Sequence, residues 1–300
     1  MVNLFQTLLQ DYRSIESKPK SNLVGCTDLK TIDLDVKRSV AHWDVHRRLT
    51  PQEREKIRIA LRTLIFDVIC SLKGFRYYQG VHEVCLVILQ ATNTDLEAST
   101  SICRTIFQSH FSSLVSHDFA YSLTPLLDGL NYLVSSVDPE VAQILDHSGV
   151  GYHFAVPWIL TWFAHSVDEF AIICRIFGYL MQRGKTHGPI ISLYLCAGVI
   201  LQQREKLVDC HQDSCLVFKI LQSAARSANW NSVFGFASKL EIEYSPTVVI
   251  RHCPRLETTS FNSMKRYSLF MTFGLGVGVV SLGLMSSFWY TRLASLENLI

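Results

Sequence analysis

Apolar residues recur every three to four positions along most of the chain, which is the spacing of one face of an α-helix. The clearest stripe is formed by Leu61, Leu64, Ile65, Val68 and Leu72. Thr50 and Glu53 form a capping-box pattern around a proline, so we predict a helix that starts after Thr50 and ends near Gly74. The strict alternation that is typical of β-strands is nowhere sustained. The chain is therefore predicted to be all-α.

Further helices are predicted by the same pattern. Asp138 and Pro139 start one of them in the way that Thr50 starts the first, and Ser148 and Gly149 end it. The other predicted helices cover residues 80–90, 96–110, 123–134, 168–181, 189–204, 214–227 and 230–239. Together they predict a single helical domain over 1–245.

The C-terminal segment 267–290 contains no charged residue and has aromatic residues at both ends. As a helix it would extend about 36 Å, which exceeds the roughly 30 Å of a bilayer's hydrocarbon core. Lys265 and Arg266 precede it, and the positive-inside rule places the side that carries them in the cytosol. We predict a linker over 246–266, one transmembrane tail anchor over 267–290 and a short luminal tail over 291–300.

Two other apolar stretches cover residues 150–167 and 189–201. The first contains His153, Pro157 and His165, and its uninterrupted apolar part is short. Apolar stretches of that length are more often buried core helices than membrane spans. We predict that both lie in the core of the domain, with a multi-pass membrane protein as the alternative.

Composition narrows the classes of function. Apolar residues make up 48% of the chain, which supplies ample core, and the net charge of +2 argues against a surface that binds nucleic acid. The nine cysteines are an odd number and are scattered through apolar runs, as expected of reduced cysteines in the cytosol. The first 13 residues lack the pattern of a secretory signal.

Familiar catalytic and metal-binding motifs fail on their spacing. His82 and Glu83 begin like a zinc-protease helix, but Leu86 occupies the place of the second histidine. Cys210 and Cys215 lack the four-ligand spacing of a structural zinc site. We predict no metal site and no self-contained catalytic site.

Two short segments remain. Ile32, Asp35 and Arg38 are spaced three apart, so on a helix they share one ridge, where Asp35 could pair with Arg38. Gln79 and Gly80 stand at a turn, where glycine allows close approach of the backbone. Taken singly, these residues are also compatible with an ordinary surface charge and an ordinary loop.

As a pair, the two segments resemble the motifs of the TBC-domain family of Rab GTPase-activating proteins. Ile32-x-x-Asp35-x-x-Arg38 is similar to the family's arginine-finger motif, and Tyr78-Gln79-Gly80 is similar to its glutamine-finger motif. The resemblance covers about residues 10–240. The family's Arg-x-x-x-Trp element has no counterpart before these motifs, which implies a domain shortened at its N-terminal side.

The resemblance implies roles for single residues. Arg38 would enter the active site of a small GTPase and stabilise the charge that develops on the phosphoryl group. Gln79 would orient the attacking water, and Asp35 would orient Arg38. Tyr78 and Gly80 would shape the loop, while Ile32 would support the arginine motif.

The resemblance also implies the partner. It would be a Rab-family GTPase in its GTP form, and this partner would carry the GTP and the magnesium ion, so the chain would need no cofactor. The chain would be an activator and not an enzyme by itself. With the predicted anchor, the resemblance implies a place in the membrane of the endoplasmic reticulum and a role in ER-to-Golgi traffic. A non-catalytic, ER-anchored Rab-binding scaffold remains an alternative.

Overall fold

Helices account for all the regular secondary structure in the part of the chain that the computed structural model describes, as the sequence predicts. The described residues are 2–13, 28–41, 43–72, 75–111, 119–184, 187–210 and 213–252. In chain order the helices are α1 (Val2–Arg13), α2 (Leu29–Arg38), α3 (Pro51–Ser71), α4 (Val81–Ala91), α5 (Leu96–His110), α6 (Phe119–Val137), α7 (Pro139–His147), α8 (Val156–Thr161), α9 (Phe170–Arg183), α10 (Ile190–Leu201), α11 (Arg204–Asp209), α12 (Ser214–Ser227), α13 (Trp230–Glu243) and α14 (Pro246–Arg251). Asp44–Arg48 and His153–Ala155 form short 3₁₀ helices.

The predicted helix starts are confirmed where a cap was visible in the sequence. The backbone N–H of Glu53 donates to Thr50 Oγ1 over 3.3 Å, and the Glu53 carboxylate accepts from the Thr50 N–H at 2.7 Å. Asp138 caps α7 by accepting from the Val141 N–H at 3.1 Å. Each cap satisfies N–H groups that a helix start would otherwise leave without partners. The predicted end of α3 was less accurate, since the helix ends at Ser71 and not near Gly74.

Helix α10 lies at the centre of the domain. Its residues are buried from Ile190 through Ile200, and it packs against α6, α13 and α14. A helix that is apolar all round belongs in the interior of a domain or of a membrane, and here the other helices surround it. The stretch over 189–201 is therefore a core helix, as predicted.

The stretch over 150–167 is also part of the core. It is divided into a 3₁₀ turn, the helix α8 and a further turn, and Trp158, Trp162 and Phe163 are buried. Helix α8 has 6 residues, so it extends only about 9 Å along its axis. Across the described residues, no helix has the length and hydropathy that a membrane crossing requires. The stretch that the multi-pass alternative required as a second span is thus a core segment of the helical domain, as predicted.

The helical domain extends beyond its predicted end at residue 245. Pro246 starts α14, and both Pro246 and Val249 are buried where α14 packs on α6 and α10. The first residues of the predicted linker thus belong to the domain, because proline favours the first turn of a helix as much as it favours a loop. The predicted anchor 267–290 and the tail 291–300 lie outside the described residues and stay predictions.

Helix α1 was not among the predicted elements. It packs against α5 and α9 and buries Phe5, Leu8 and Leu9. The Gln6 side-chain amide donates to the Ala91 carbonyl over 3.2 Å and so joins α1 to the end of α4. The residues before the arginine motif therefore contribute a helix to the domain.

Candidate functional site

Helix α2 carries the arginine motif and presents Arg38 at its exposed end. Ile32, Asp35 and Val36 are buried on the inner face of the helix, whereas Arg38 is exposed in its last turn. Leu34 lies one turn before Arg38 and leaves 54% of its surface exposed. Residues four apart share a helix face, so an exposed apolar side chain stands beside the exposed guanidinium.

The chain turns sharply after Arg38. The N–H and the hydroxyl of Ser39 both donate to the Asp35 carbonyl, at 3.0 and 2.7 Å, and end the helix. Val40 follows with a φ of 64° and is fully buried. This left-handed conformation is unfavourable for a β-branched residue and costs about 1–3 kcal/mol. Arg58 Nη2 donates to the Ser39 carbonyl over 3.3 Å, which helps to hold the strained turn.

A partly buried hydrogen bond joins the two predicted finger segments, the end of α2 with Arg38 and the loop with Gln79. The Tyr77 hydroxyl donates to Asp35 Oδ2 at 2.8 Å. Burial raises the pKa of Tyr77, and the Asp35 charge raises it further, so the phenol keeps its proton and remains a donor. Asp35 precedes Arg38 by one turn and Tyr77 precedes Gln79 by two residues, so this bond fixes one segment relative to the other.

The expected pairing of Asp35 with Arg38 is not observed among the interactions of the described residues. The Asp35 carboxylate is buried and faces Tyr77 and His82, whereas Arg38 is exposed. Residues three apart differ by about 60° around the helix axis, so Asp35 faces the core while Arg38 faces solvent. Any influence of Asp35 on Arg38 therefore acts through the position of α2.

The loop that carries Gln79 is held on both sides. The Tyr78 hydroxyl donates to the Leu160 carbonyl over 3.2 Å. Gly80 has a φ of +125°, which side-chain-bearing residues rarely adopt, and a Cβ at this position would lie 3.1 Å from Thr161 Cγ2. Gln79 is half-buried between these two anchors. The loop conformation therefore requires glycine at position 80, as the sequence suggested.

Replacing Gly80 with alanine is expected to lower the free energy of unfolding by about 1–3 kcal/mol, because the backbone is strained for any L side chain and the Cβ meets Thr161. Urea denaturation of the full chain, followed by circular dichroism, measures the change. Gly235→Ala is the matched control: Gly235 lies in α13 with nothing within 4 Å of an added Cβ. That substitution should stabilise the protein by about 0.5–1 kcal/mol. Equal effects of the two substitutions would contradict the expectation.

A third segment, residues 161–165, supports both finger segments, and we call it the platform turn. Trp162 and Phe163 have φ values of 50° and 65° and are buried. Phe163 stacks on Trp158 at 5.5 Å, and Trp162 contacts Phe177 edge-on at 5.1 Å. These ring contacts hold two adjacent left-handed residues that would otherwise be unfavourable.

The platform turn contacts the chain on the far side of each motif. Ala164 accepts from Trp43 Nε1 at 3.0 Å, and Trp43 lies five residues after Arg38. Thr161 closes over Gly80, as described above. This role could not be predicted from the sequence, because the apolar residues of the segment indicate only a buried core.

His165, at the end of the platform turn, forms an ion pair with Glu83 in the first turn of α4. His165 Nδ1 lies 2.7 Å from Glu83 Oε1, and the Glu83 side chain is buried. This hydrogen bond raises the pKa of His165 above its ordinary value, against the effect of burial, which lowers it. His82 Nδ1 lies 3.1 Å from the Tyr77 hydroxyl. His82 and Glu83 resembled a failed zinc motif in the sequence, whereas their structural partners are Tyr77, Asp35 and His165.

The Rab-GTPase-TBC domain family, RabGAP-TBC, matches residues 3–208, which is more than half of the chain. The chain belongs to this family. The match begins inside α1 and includes both finger segments and the platform turn.

Three curated proteins are similar to this TBC domain protein. TBC1 domain family member 20 of Bos taurus is 25% identical over 256 residues, which cover 81% of this chain and 59% of the bovine protein. The human protein of the same name gives the same values. The GTPase-activating protein gyp10 of Schizosaccharomyces pombe is 27% identical over 62% of this chain and 47% of its own length. The chain thus spans less than two thirds of the length of these relatives.

Two solved structures share the fold of this TBC domain. The Ypt/Rab-GAP domain of Gyp1p aligns with a TM-score of 0.56 over 81% of this chain and 79% of that one. The TBC domain of a Chlamydomonas flagellar RabGAP aligns with a TM-score of 0.51 over 79% and 72%. Both are 14% identical in sequence, so they bear on the fold alone.

Proposed function

We propose that this TBC domain accelerates GTP hydrolysis on a Rab-family GTPase in its GTP form, with Arg38 and Gln79 entering the partner's active site. The observation that carries the proposal is the 2.8 Å hydrogen bond from Tyr77 to Asp35. It holds the two finger segments together in a chain that belongs to the TBC family. The name of the fission-yeast relative, a GTPase-activating protein, supports the same activity.

Arg38 is suited to the role of an arginine finger. Its side chain is exposed at the end of α2, and the strained turn behind it fixes the backbone from which it extends. In a small GTPase the rate is limited by poorly stabilised charge on the transferring phosphoryl group. A guanidinium supplied in trans against that charge increases the rate by about 10³–10⁵.

Gln79 would position the attacking water. Its backbone is held by Tyr78 on one side and by Gly80 on the other, so its amide can be presented in a defined place. An amide has both a donor and an acceptor, which suits it to orient a water molecule in line with the phosphoryl group. A loop fixed before the partner arrives does not have to be ordered at the moment of reaction.

The partner would supply the rest of the active site. GTP and magnesium would come with the GTPase, so we propose no cofactor for this chain. Exposed Leu34, on the same face of α2 as Arg38, would be buried against the partner. A surface that combines an apolar residue with a cation fits a protein partner better than nucleic acid, in agreement with the small net charge.

The proposed location is the membrane of the endoplasmic reticulum, with the helical domain in the cytosol and a role in ER-to-Golgi traffic. The support is the charge-free segment 267–290 with Lys265 and Arg266 before it. A single-pass anchor there would keep the domain close to membrane-bound GTPases and raise their effective concentration.

Single-turnover GTP hydrolysis across a panel of purified Rab proteins tests the proposal. The full chain, in a mild detergent, is mixed with each GTP-loaded Rab, and phosphate release and complex formation are measured separately. Acceleration of at least one Rab supports the activator. Binding to a Rab without acceleration of any member would replace it by the non-catalytic scaffold.

A further inference from the structure

A line of polar side chains leads from the platform turn to the arginine motif through three hydrogen bonds and one longer contact, between His82 and Glu83. His165 Nδ1 lies 2.7 Å from Glu83 Oε1, and the same oxygen lies 3.7 Å from His82 Nε2. His82 Nδ1 then lies 3.1 Å from the Tyr77 hydroxyl, which donates to Asp35. These five residues belong to the platform turn, to α4, to the loop that carries Gln79 and to α2.

The two ends of this line differ in exposure. The side chains of Asp35, His82 and Glu83 are 6%, 10% and 8% exposed, whereas that of His165 is 42% exposed. The buried residues are members of the core as well as of the line. His165 buries less surface, so its principal contribution is the contact with Glu83.

Both fingers are close to this line along the chain. Asp35 is one helical turn before Arg38, and Tyr77 and Glu83 enclose the loop that carries Gln79. Movement of Glu83 would therefore be transmitted through His82 and Tyr77 to both segments. Catalysis is sensitive to such movement, since a displacement of about 1 Å can cost on the order of 10² in rate.

We propose that His165 is a positioning residue that holds both fingers in their productive geometry through Glu83, His82, Tyr77 and Asp35. The inference rests on the proposed GTPase-activating function, which it extends to a residue outside both motifs. His165 acts through its neighbours and is not expected to touch the GTPase or its nucleotide.

The charges around His165 define how the contact depends on pH. Glu83 faces it from α4, with His82 behind, and Arg226 faces it from α12, where Arg226 is paired with Asp168 at 3.1 Å. Since the folded-state pKa of His165 is raised, the charge-assisted bond is fully present below its unfolded pKa of about 6.5. The bond weakens as the pH rises through the raised folded-state pKa.

Two substitutions distinguish the loss of the hydrogen-bond donor of His165 from the loss of its side-chain volume. His165→Leu removes the donor and keeps a side chain of moderate size, whereas His165→Asn places an amide N–H near the position of Nδ1. His147→Leu is the control, because His147 is an exposed histidine at the end of α7. The wild type and these three variants are studied as full chains in detergent, and Arg38→Ala is added as the inactive reference.

His165→Leu is expected to lower the maximal single-turnover rate on the responsive Rab by at least about tenfold, with the Rab affinity changed less than about twofold. His165→Asn should recover most of that rate, and His147→Leu should match the wild type. The difference between the wild type and His165→Leu should be larger at pH 6 than at pH 8.5. A rate for His165→Leu equal to that of the wild type would overturn the inference.

Nuclear magnetic resonance of the imidazole groups supplies a readout that needs no GTPase. If the line exists, His165→Leu shifts the imidazole resonances of His82, and His165→Asn largely restores them. Unchanged His82 resonances in His165→Leu would overturn the inference while the proposed function stands. A wild-type chain that accelerates no Rab, with the resonance shifts present, would instead overturn the proposed function and the positioning role that rests on it.

Discussion

Arg38→Ala is expected to lower Rab-stimulated GTP hydrolysis by about 10³-fold or more, which would bring the rate close to that of the GTPase alone. The guanidinium meets charge that develops only in the transition state, so its removal raises the barrier without weakening ground-state binding to the same degree. Complex formation with GTP-loaded Rab should stay within about fivefold of the wild-type affinity, because Leu34 and the rest of the surface are unchanged.

Two further variants define the cause of that loss. Lys37→Ala removes a neighbouring exposed cation from the same turn of α2, and we expect it to keep most of the activity. Arg38→Lys keeps the charge but loses the planar fork of donors, so we expect it to recover only a small part of the rate. If Lys37→Ala were as damaging as Arg38→Ala, general electrostatic attraction would explain the effect better than a finger.

Gln79→Ala is expected to lower the maximal stimulated rate by about 10²-fold, the magnitude typical of losing one preorganised hydrogen-bonding group in an active site. Alanine preserves the backbone conformation of the loop, because Tyr78 and Gly80 hold it from either side. Thermal unfolding should therefore be unchanged. The measurement is single-turnover phosphate release at saturating concentrations of the activator.

The matched control for Gln79 is Gln143→Ala, since Gln143 is an exposed glutamine on α7. A second test uses a Rab in which the GTPase's own water-orienting glutamine is replaced by alanine. If Gln79 takes over that role, wild-type activator still stimulates this Rab and the Gln79→Ala variant does not. Loss of stimulation with both activators would show that the water is oriented by the GTPase itself.

The helices that could be predicted from the sequence are those that carry their own local signals. Thr50 and Asp138 predict the starts of α3 and α7, because capping involves residues three apart in the sequence. Helices α5 and α12 were predicted with the bounds that the structure gives. In contrast, α14 begins with a proline whose helical role depends on the burial of Val249 against distant helices, which no local pattern expresses.

The candidate site, like the helices, could be predicted from the sequence only in part. The motifs identify Arg38 and Gln79 as candidates, but the true partner of Asp35 is Tyr77, 42 residues later, because only the folded domain brings them together. The requirement for glycine at position 80 was suggested by the turn, while its cause is contact with Thr161. The platform turn gave no signal, since its strained residues are aromatic and such residues usually indicate only a core.

The packing of α1 has a consequence for folding while the chain is being synthesised on the ribosome. Phe5, Leu8 and Leu9 are synthesised well before α9, which together with α5 covers α1 and ends only at Arg183, so α1 waits for this partner. At translation rates of about 5–20 residues per second, this wait lasts on the order of ten seconds. During that interval the nascent chain exposes the part of the apolar face of α1 that α9 later buries, and chaperones bind exposed apolar surface of this kind. Helix α1 therefore completes its packing only after most of the helical domain has been synthesised.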